Sequence, residues 1–222
     1  QNLPGFVVLC PGKPVVGPQL WSNSFLPGVF QGTHINHAKD VDPKKVIEHI
    51  NNTHLTKSAQ RQQLDLLTKM NQIHLEQRGG QDHRLDARIE SLEMAFRMQA
   101  EAQDVFDLGK ETKEIREAYG TGQFANGCLA ARRLVESGVR MVQVYYGNGQ
   151  PWDDHGNIKS HADKAKNVDQ PIAALIKDLK QRDLLKDTLI IWGGEFGRTP
   201  VAENGNGRDH NHHGFSMWLA GG

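Results

Sequence analysis

From residue 124 onward, apolar runs of strand length alternate with amphipathic runs of helix length, and this alternation constrains the fold more than any other feature. Residues 124–137 read as a helix stopped by Gly138, since glycine takes the left-handed conformation that closes helices. Residues 139–146 (VRMVQVYY) have the β-branched and aromatic composition of a strand. Residues 168–182 put Val168, Ile172, Leu175, Ile176 and Leu179 on one helical face. Pro171 is tolerable there only in the first turn, with Asp169 as the N-cap. Residues 188–192 (TLIIW) are almost wholly apolar, as a strand covered on both faces is, and residues 215–220 (FSMWLA) supply a last strand. Strand, helix, strand order predicts an α/β fold, with a largely parallel sheet covered by helices in one domain spanning residues 1–222.

Upstream the pattern differs. Residues 1–40 are rich in Pro and Gly and hold one short apolar run, Phe6-Val7-Val8-Leu9, read as a single strand leaving into a long loop that carries Trp21, Phe25 and Phe30. Residues 43–119 are polar and poor in Pro. Leu64, Leu67, Asn71 and His74, then Ile89, Leu92, Phe96 and Gln99, mark two amphipathic helices broken near Gly79-Gly80. This stretch reads as a helical insertion, because the apolar spacing does not persist over the three or four heptads that a coiled coil needs.

Twenty-six basic and twenty-six acidic side chains cancel, which removes the electrostatic case for nucleic acid. No apolar run approaches the roughly 20 residues of a membrane span. Two cysteines, Cys10 and Cys128, make no disulfide framework. The chain opens at Gln1 without an initiator Met or a leader, so a fragment or processed product is expected.

Eleven histidines are many for 222 residues, and several adjoin acids and glycines. Trp152-Asp153-Asp154-His155-Gly156-Asn157 follows the first of the strands above. Gly193-Gly194-Glu195-Phe196-Gly197-Arg198-Thr199-Pro200 follows the second, and Gly207-Arg208-Asp209-His210-Asn211-His212-His213-Gly214 precedes the last. Ligands of open α/β sheets bind at the carboxyl ends of strands. With the first two strands parallel and the last antiparallel, all three segments reach one edge, and Asp153, His155, Glu195, Arg198, Asp209 and His210 converge. Mixed carboxylate and imidazole ligands suit zinc or manganese, whereas carboxylates with water suit calcium or magnesium. The expected metal ligands are Asp153, His155, Glu195, Asp209 and His210, and Arg198 offers a planar fork to an anionic substrate group. His212 and His213 are read as second-rank or exposed, and His49, His54, His74 and His83 as solvated. Trp152 and Trp192 are read as packing residues, and Arg132-Arg133 as ordinary surface or inter-element ion-pair formers. Each short motif also has a plain reading as turn chemistry, with Glu195 a loop acid or a partner of Arg198.

The run from Asp187 to Pro200, then Gly207-Arg208-Asp209-His210 and Phe215-Ser216-Met217-Trp218-Leu219-Ala220-Gly221-Gly222, resembles a sulfatase-like bacterial family, domain of unknown function 1501. Asn2-Leu3-Pro4-Gly5-Phe6-Val7-Val8-Leu9, Cys128-Leu129-Ala130-Ala131-Arg132-Arg133-Leu134-Val135-Glu136 and Trp152-Asp153-Asp154-His155 agree with it. That family is similar to the alkaline phosphatase and sulfatase superfamily. The resemblance implies an alkaline phosphatase-like fold whose N-terminal part is missing here. It also implies a divalent metal (zinc, calcium or manganese), a nucleophile upstream of Gln1 and hydrolysis of an anionic sulfate or phosphate ester, for instance on sulfated polysaccharide. Export to the periplasm or medium is implied as well. Asp153 and His155 match one metal-binding pair and His210 a later ligand, while Glu195-Phe196 stands where Asp-His is expected, which favours one metal or a different ion over a two-zinc site. The chain as given is expected to be inactive alone, with exposed strand edges that favour homo-oligomers. The alternatives are a non-catalytic surface or binding member of the same fold, and a helical interaction module built on residues 43–119.

Overall fold

The computed structural model describes residues 2–36, 47, 50–78 and 83–222. Three strands form a small parallel sheet in the order β2-β1-β3: β1 Phe6–Leu9, β2 Thr33–Ile35 and β3 Met141–Val144. Val7 faces Thr33 on one side and Val142 on the other. Val7, Val8 and Leu9 are buried, as the central strand of a covered parallel sheet requires. β2 lies within the segment expected to be loop. Three residues with His34 in the middle are too short and too polar to announce a strand.

The sheet is covered by helix α4, Gln123–Glu136, on which Cys128, Leu129, Ala130, Ala131 and Leu134 are buried in the same core as Val7, Leu9 and Val139. Its end is a Schellman turn: Val139 N donates to Leu134 O at 3.0 Å and Gly138 N to Val135 O at 2.9 Å, with Gly138 at φ 88°. Helix α3, Lys113–Tyr119, and helix α5, His161–Gln181, pack against α4.

Helix α1 is Lys57–Arg78 and helix α2 His83–Val105. They are tied by Arg61, whose Nη1 donates to Glu93 at 2.7 Å, and by Gln99 donating to Gln60 at 3.0 Å. The buried face of α2 is Met98, Ala102 and Val105, joined by Met94, whereas Leu92 of the expected face is 41% exposed. Small and flexible side chains made the stripe that packs. The expected break at Gly79-Gly80 lies outside the described residues.

Four expectations are corrected. The sheet is parallel only across its three strands. β4 (Ile190–Trp192) instead pairs antiparallel with β7 (Trp218–Ala220), and β5 (Gly197–Arg198) with β6 (His210–Asn211), in two separate ladders. β4 is not covered on both faces, since Ile191 and Trp192 are 56% and 50% exposed, and Trp192 lies opposite Trp218 instead of inside a core. Helix α5 begins seven residues before 168, so Pro171 sits in its interior and not in the first turn. The hydrogen bond that proline cannot donate is outweighed by burial of Val168, Pro171, Ala174 and Leu179, and Gln170 adds bonds to the Glu117 and Ala118 carbonyls of α3 at 3.0 and 3.1 Å.

Of the two readings of Arg132, the inter-element ion pair holds and the surface one does not: its side chain is 1% exposed. Its Nη1 donates to Glu136 at 2.6 Å. Nη2 and Nε approach Glu111 and Asp178 at 2.7 and 2.9 Å without the alignment of hydrogen bonds. Tyr119 donates to Asp178 at 3.1 Å, and Arg182 bridges Asp178 and Glu136 at 2.7 and 2.8 Å. The charges compensate because a lone buried ion is intolerable. No described helix is long and apolar enough to cross a membrane.

Candidate metal centre

The loop after β3 turns on Gly147 and Gly149, at φ 72° and 68°, and closes with Asp153 N donating to Gln150 O at 3.1 Å. Trp152 packs on Tyr146 and on His161, with ring centroids 5.2 and 5.4 Å apart. His161 Nε2 lies 3.2 Å from Trp152 O. Asp154 fastens the loop to the start of α5 by accepting from Asn157 N at 2.8 Å and from the Ser160 hydroxyl. These bonds hold its carboxyl down at about 2. One acid thus anchors the loop while its neighbour, Asp153, is free to face the site.

The segment before β6 is stitched to that loop. Asn206 N donates to Gly156 O and Arg208 N to Asp154 O, both at 3.0 Å, and Ile158 N to Asn206 O at 3.1 Å. Gly207 is required here, because a Cβ would fall inside the backbone of Asp154 and His155. The β5–β6 ladder sets Arg198 opposite His210, and Thr199 and Asp209 are locked by Thr199 N to Asp209 O at 2.9 Å and Asp209 N to Thr199 Oγ1 at 3.0 Å.

Three ligand atoms result. Asp153 Oδ1 is 3.0 Å from His155 Nε2 and 3.0 Å from His210 Nε2, and the two nitrogens are 3.2 Å apart. Among the described residues these three form the group of acids and imidazoles able to hold a metal ion. Bonds of about 2.0–2.1 Å in tetrahedral geometry separate neighbouring ligand atoms by about 3.3 Å, so the triangle is close to one face of a zinc-type site.

The chain belongs to the family described as protein of unknown function (DUF1501). The match runs over residues 1–222. No curated protein and no solved structure matches it.

In this DUF1501 chain the placement of protons makes the triangle able to hold a cation. His155 Nδ1 sits 2.8 Å from Asp209 Oδ1, whose other oxygen accepts from Glu203 N at 2.8 Å. An ionised Asp209 only accepts, so Nδ1 carries a proton, and His155 when neutral presents the Nε2 lone pair. That lone pair then confronts a carboxylate oxygen at 3.0 Å. A positive centre, either a proton or a metal ion, is needed between them. Accordingly the Asp209 contact raises the pKa of His155 and burial opposes it only in part. Burial alone would raise Asp153, but His210 and Arg198 outweigh it and hold its carboxyl below the ordinary range. The His155 contact and the Glu203 amide lower Asp209.

The expected residues therefore take different places. Asp153, His155 and His210 form the triangle. Asp209 lies behind His155, outside it. Arg198 Nη1 pairs with Asp153, and its Nη2 is 3.1 Å from Glu195 Oε1. Phe196 packs on His210 with centroids 4.7 Å apart and under Arg198. His212 and His213 pack on each other with tilted rings, centroids 3.8 Å apart. His54 and His74 are exposed on or before α1; His49 and the side chain of His83 lie outside the described residues. Thr199 and Glu203 were not singled out by the sequence reading, because their contribution is a hydroxyl and a backbone amide that position Asp209.

Proposed function

We propose that this DUF1501 protein is a metal-dependent hydrolase of sulfate or phosphate esters, exported to the periplasm or medium, with an alkaline phosphatase-like fold and an active centre of the alkaline phosphatase and sulfatase kind. The observation that carries this reading is the triangle of Asp153 Oδ1, His155 Nε2 and His210 Nε2 with an arginine fork beside it. When bound, a divalent ion lowers the pKa of a coordinated hydroxyl and draws charge from a phosphoryl or sulfuryl oxygen. Asp209 holds the His155 tautomer that offers its lone pair. Arg198 presents paired N–H groups to the anionic end of the ester, and a sulfated polysaccharide is the proposed natural substrate class. The exposed apolar residues Ile191, Trp192 and Leu219 of the β4–β7 ribbon support pairing with a second copy.

The test uses the protein as its natural gene encodes it. Zinc, manganese and calcium content is measured after dialysis, alongside hydrolysis of 4-nitrophenyl sulfate and 4-nitrophenyl phosphate before and after chelation. One bound ion, lost in His210→Ala, and chelator-sensitive hydrolysis support the reading; a wild type that takes up no divalent ion ends it. A second reading, a binding member of the same fold without catalysis, is favoured by Phe196, whose ring fills the space beside His210 where a further imidazole is expected. Metal uptake with no hydrolysis of either ester decides for it.

A further inference from the structure

Asp153 Oδ1 is used twice over. It is the carboxylate corner of the ligand triangle, and it is also the partner of Arg198 Nη1. An ion at that corner would lie within a few ångströms of the guanidinium, where like charges repel. The side chains of Asp153 and Arg198 are only 17% and 21% exposed, so water screens that repulsion incompletely. Arg198 has a second hold on which to turn, Nη2 against Glu195 Oε1 at 3.1 Å, and Glu195 is 62% exposed and reaches towards solvent. The Phe196 ring lies 5.6 Å from Arg198 Cζ and supports the planar group from below.

We infer that Arg198 is a metal-gated anion clamp. Without an ion, its Nη1 neutralises Asp153. An ion held by Asp153, His155 and His210 displaces the guanidinium outward, where, still steadied by Glu195, its released N–H groups take a tetrahedral oxyanion such as a sulfate or phosphate group. The inference rests on the metal reading above and adds an order of events: metal first, anion second. Because coupling is reciprocal, the bound anion in turn tightens the hold on the metal.

Calorimetric titrations test it without any activity readout. Zinc is titrated into the wild type and Arg198→Gln, and inorganic sulfate into the wild type with and without zinc. Removing the competing cation is expected to tighten zinc binding in Arg198→Gln by at least about tenfold. Zinc is expected to strengthen sulfate binding by the wild type by a similar factor. Asp153→Asn, in which Arg198 loses its charged partner, should bind sulfate in the absence of zinc about tenfold better than the metal-free wild type. If zinc binds the wild type but binds Arg198→Gln equally or more weakly, the gate is overturned and the metal centre stands. Asp153→Asn that takes sulfate no better than the metal-free wild type overturns the gate independently. A wild type that binds no zinc removes the metal centre and the gate together.

Discussion

The Nε2 atoms of His155 and His210 face each other at 3.2 Å, each 3.0 Å from the same oxygen of Asp153. Three electron-rich atoms this close are compatible only with protons on the imidazoles or a metal ion among them. Each is supplied by a different kind of support: the loop after β3, the β6 ladder, and the Asp209 carboxylate behind His155. Removing a ligand and removing a support therefore differ in size. Asp153→Asn or His210→Ala is expected to weaken zinc binding by more than about 100-fold, whereas Asp209→Asn costs about 10–100-fold, as outer partners of metal-bound imidazoles do. Competition against a chromophoric chelator measures both. Equal losses for Asp209→Asn and His210→Ala would place Asp209 among the ligands.

Acid should empty the site early. Protons compete with metal for His155 Nε2, and the Asp209 contact raises the pKa of His155. Zinc affinity is thus expected to begin falling at a pH above the ordinary imidazole value as acid is added, and Asp209→Asn should move that onset downward. In the metal-free protein the stability contributions run in opposite directions. His155, raised on folding, adds stability that is complete below the ordinary imidazole value and is lost as pH climbs through the raised value. Asp153 and Asp209, lowered on folding, add stability present above the ordinary carboxylate range and lost as pH falls through their depressed values. For Asp154 that loss extends down to about 2. Proton NMR titration of the imidazoles, with zinc affinity measured over the same pH series, checks the whole pattern. An onset unchanged by Asp209→Asn would contradict it.

What the sequence made legible was whatever depends on neighbours along the chain. Gly138 announced the end of α4, the apolar run at Phe6-Val7-Val8-Leu9 announced β1, and the glycine-rich segments around His155 and His210 announced a meeting place. What it hid depends on distant partners. Arg132 reads equally as a surface or an inter-element ion-pair former until Glu111 and Asp178 close over it. The first turns of α5, rich in Lys and Asp, have no apolar period, and they are helical because their start is tied to Trp152 and Asp154. Nothing local tells Asp209 from His210 as a metal ligand. The difference lies in which one meets the Nδ1 side of His155.

The buried charges should be brittle. Arg132 faces three carboxylates and its side chain is 1% exposed, so Arg132→Met takes one buried counter-charge from Asp178 and Glu111 and leaves them to Arg182 and Arg133. A loss of about 3–5 kcal/mol in denaturant unfolding is expected, more than a surface ion pair could cost. Replacing Arg132 and Asp178 together by apolar residues of similar volume should recover much of it. A single Arg132→Met that unfolds at the wild-type midpoint would show the network to be incidental.

The core and the metal centre can be separated by one substitution each. Leu134 on α4 is fully buried, and Leu134→Ala is expected to cost about 2–5 kcal/mol of folding stability while the ligand triangle, built from other elements, keeps its affinity in whatever fraction stays folded. Gly207 does the reverse. It lies where the segment leading to His210 crosses the backbone of Asp154 and His155 with no room for a Cβ, so Gly207→Ala must push the two segments apart. A shift of about 1 Å is large against the tolerance of a metal site, and zinc affinity should fall by at least about tenfold. The thermal midpoint should move little, because the displaced segments lie outside the core around α4 and β1. Zinc titration and thermal unfolding of the two variants side by side decide the matter. Should Gly207→Ala retain wild-type zinc affinity, His210 does not depend on that crossing for its place beside His155.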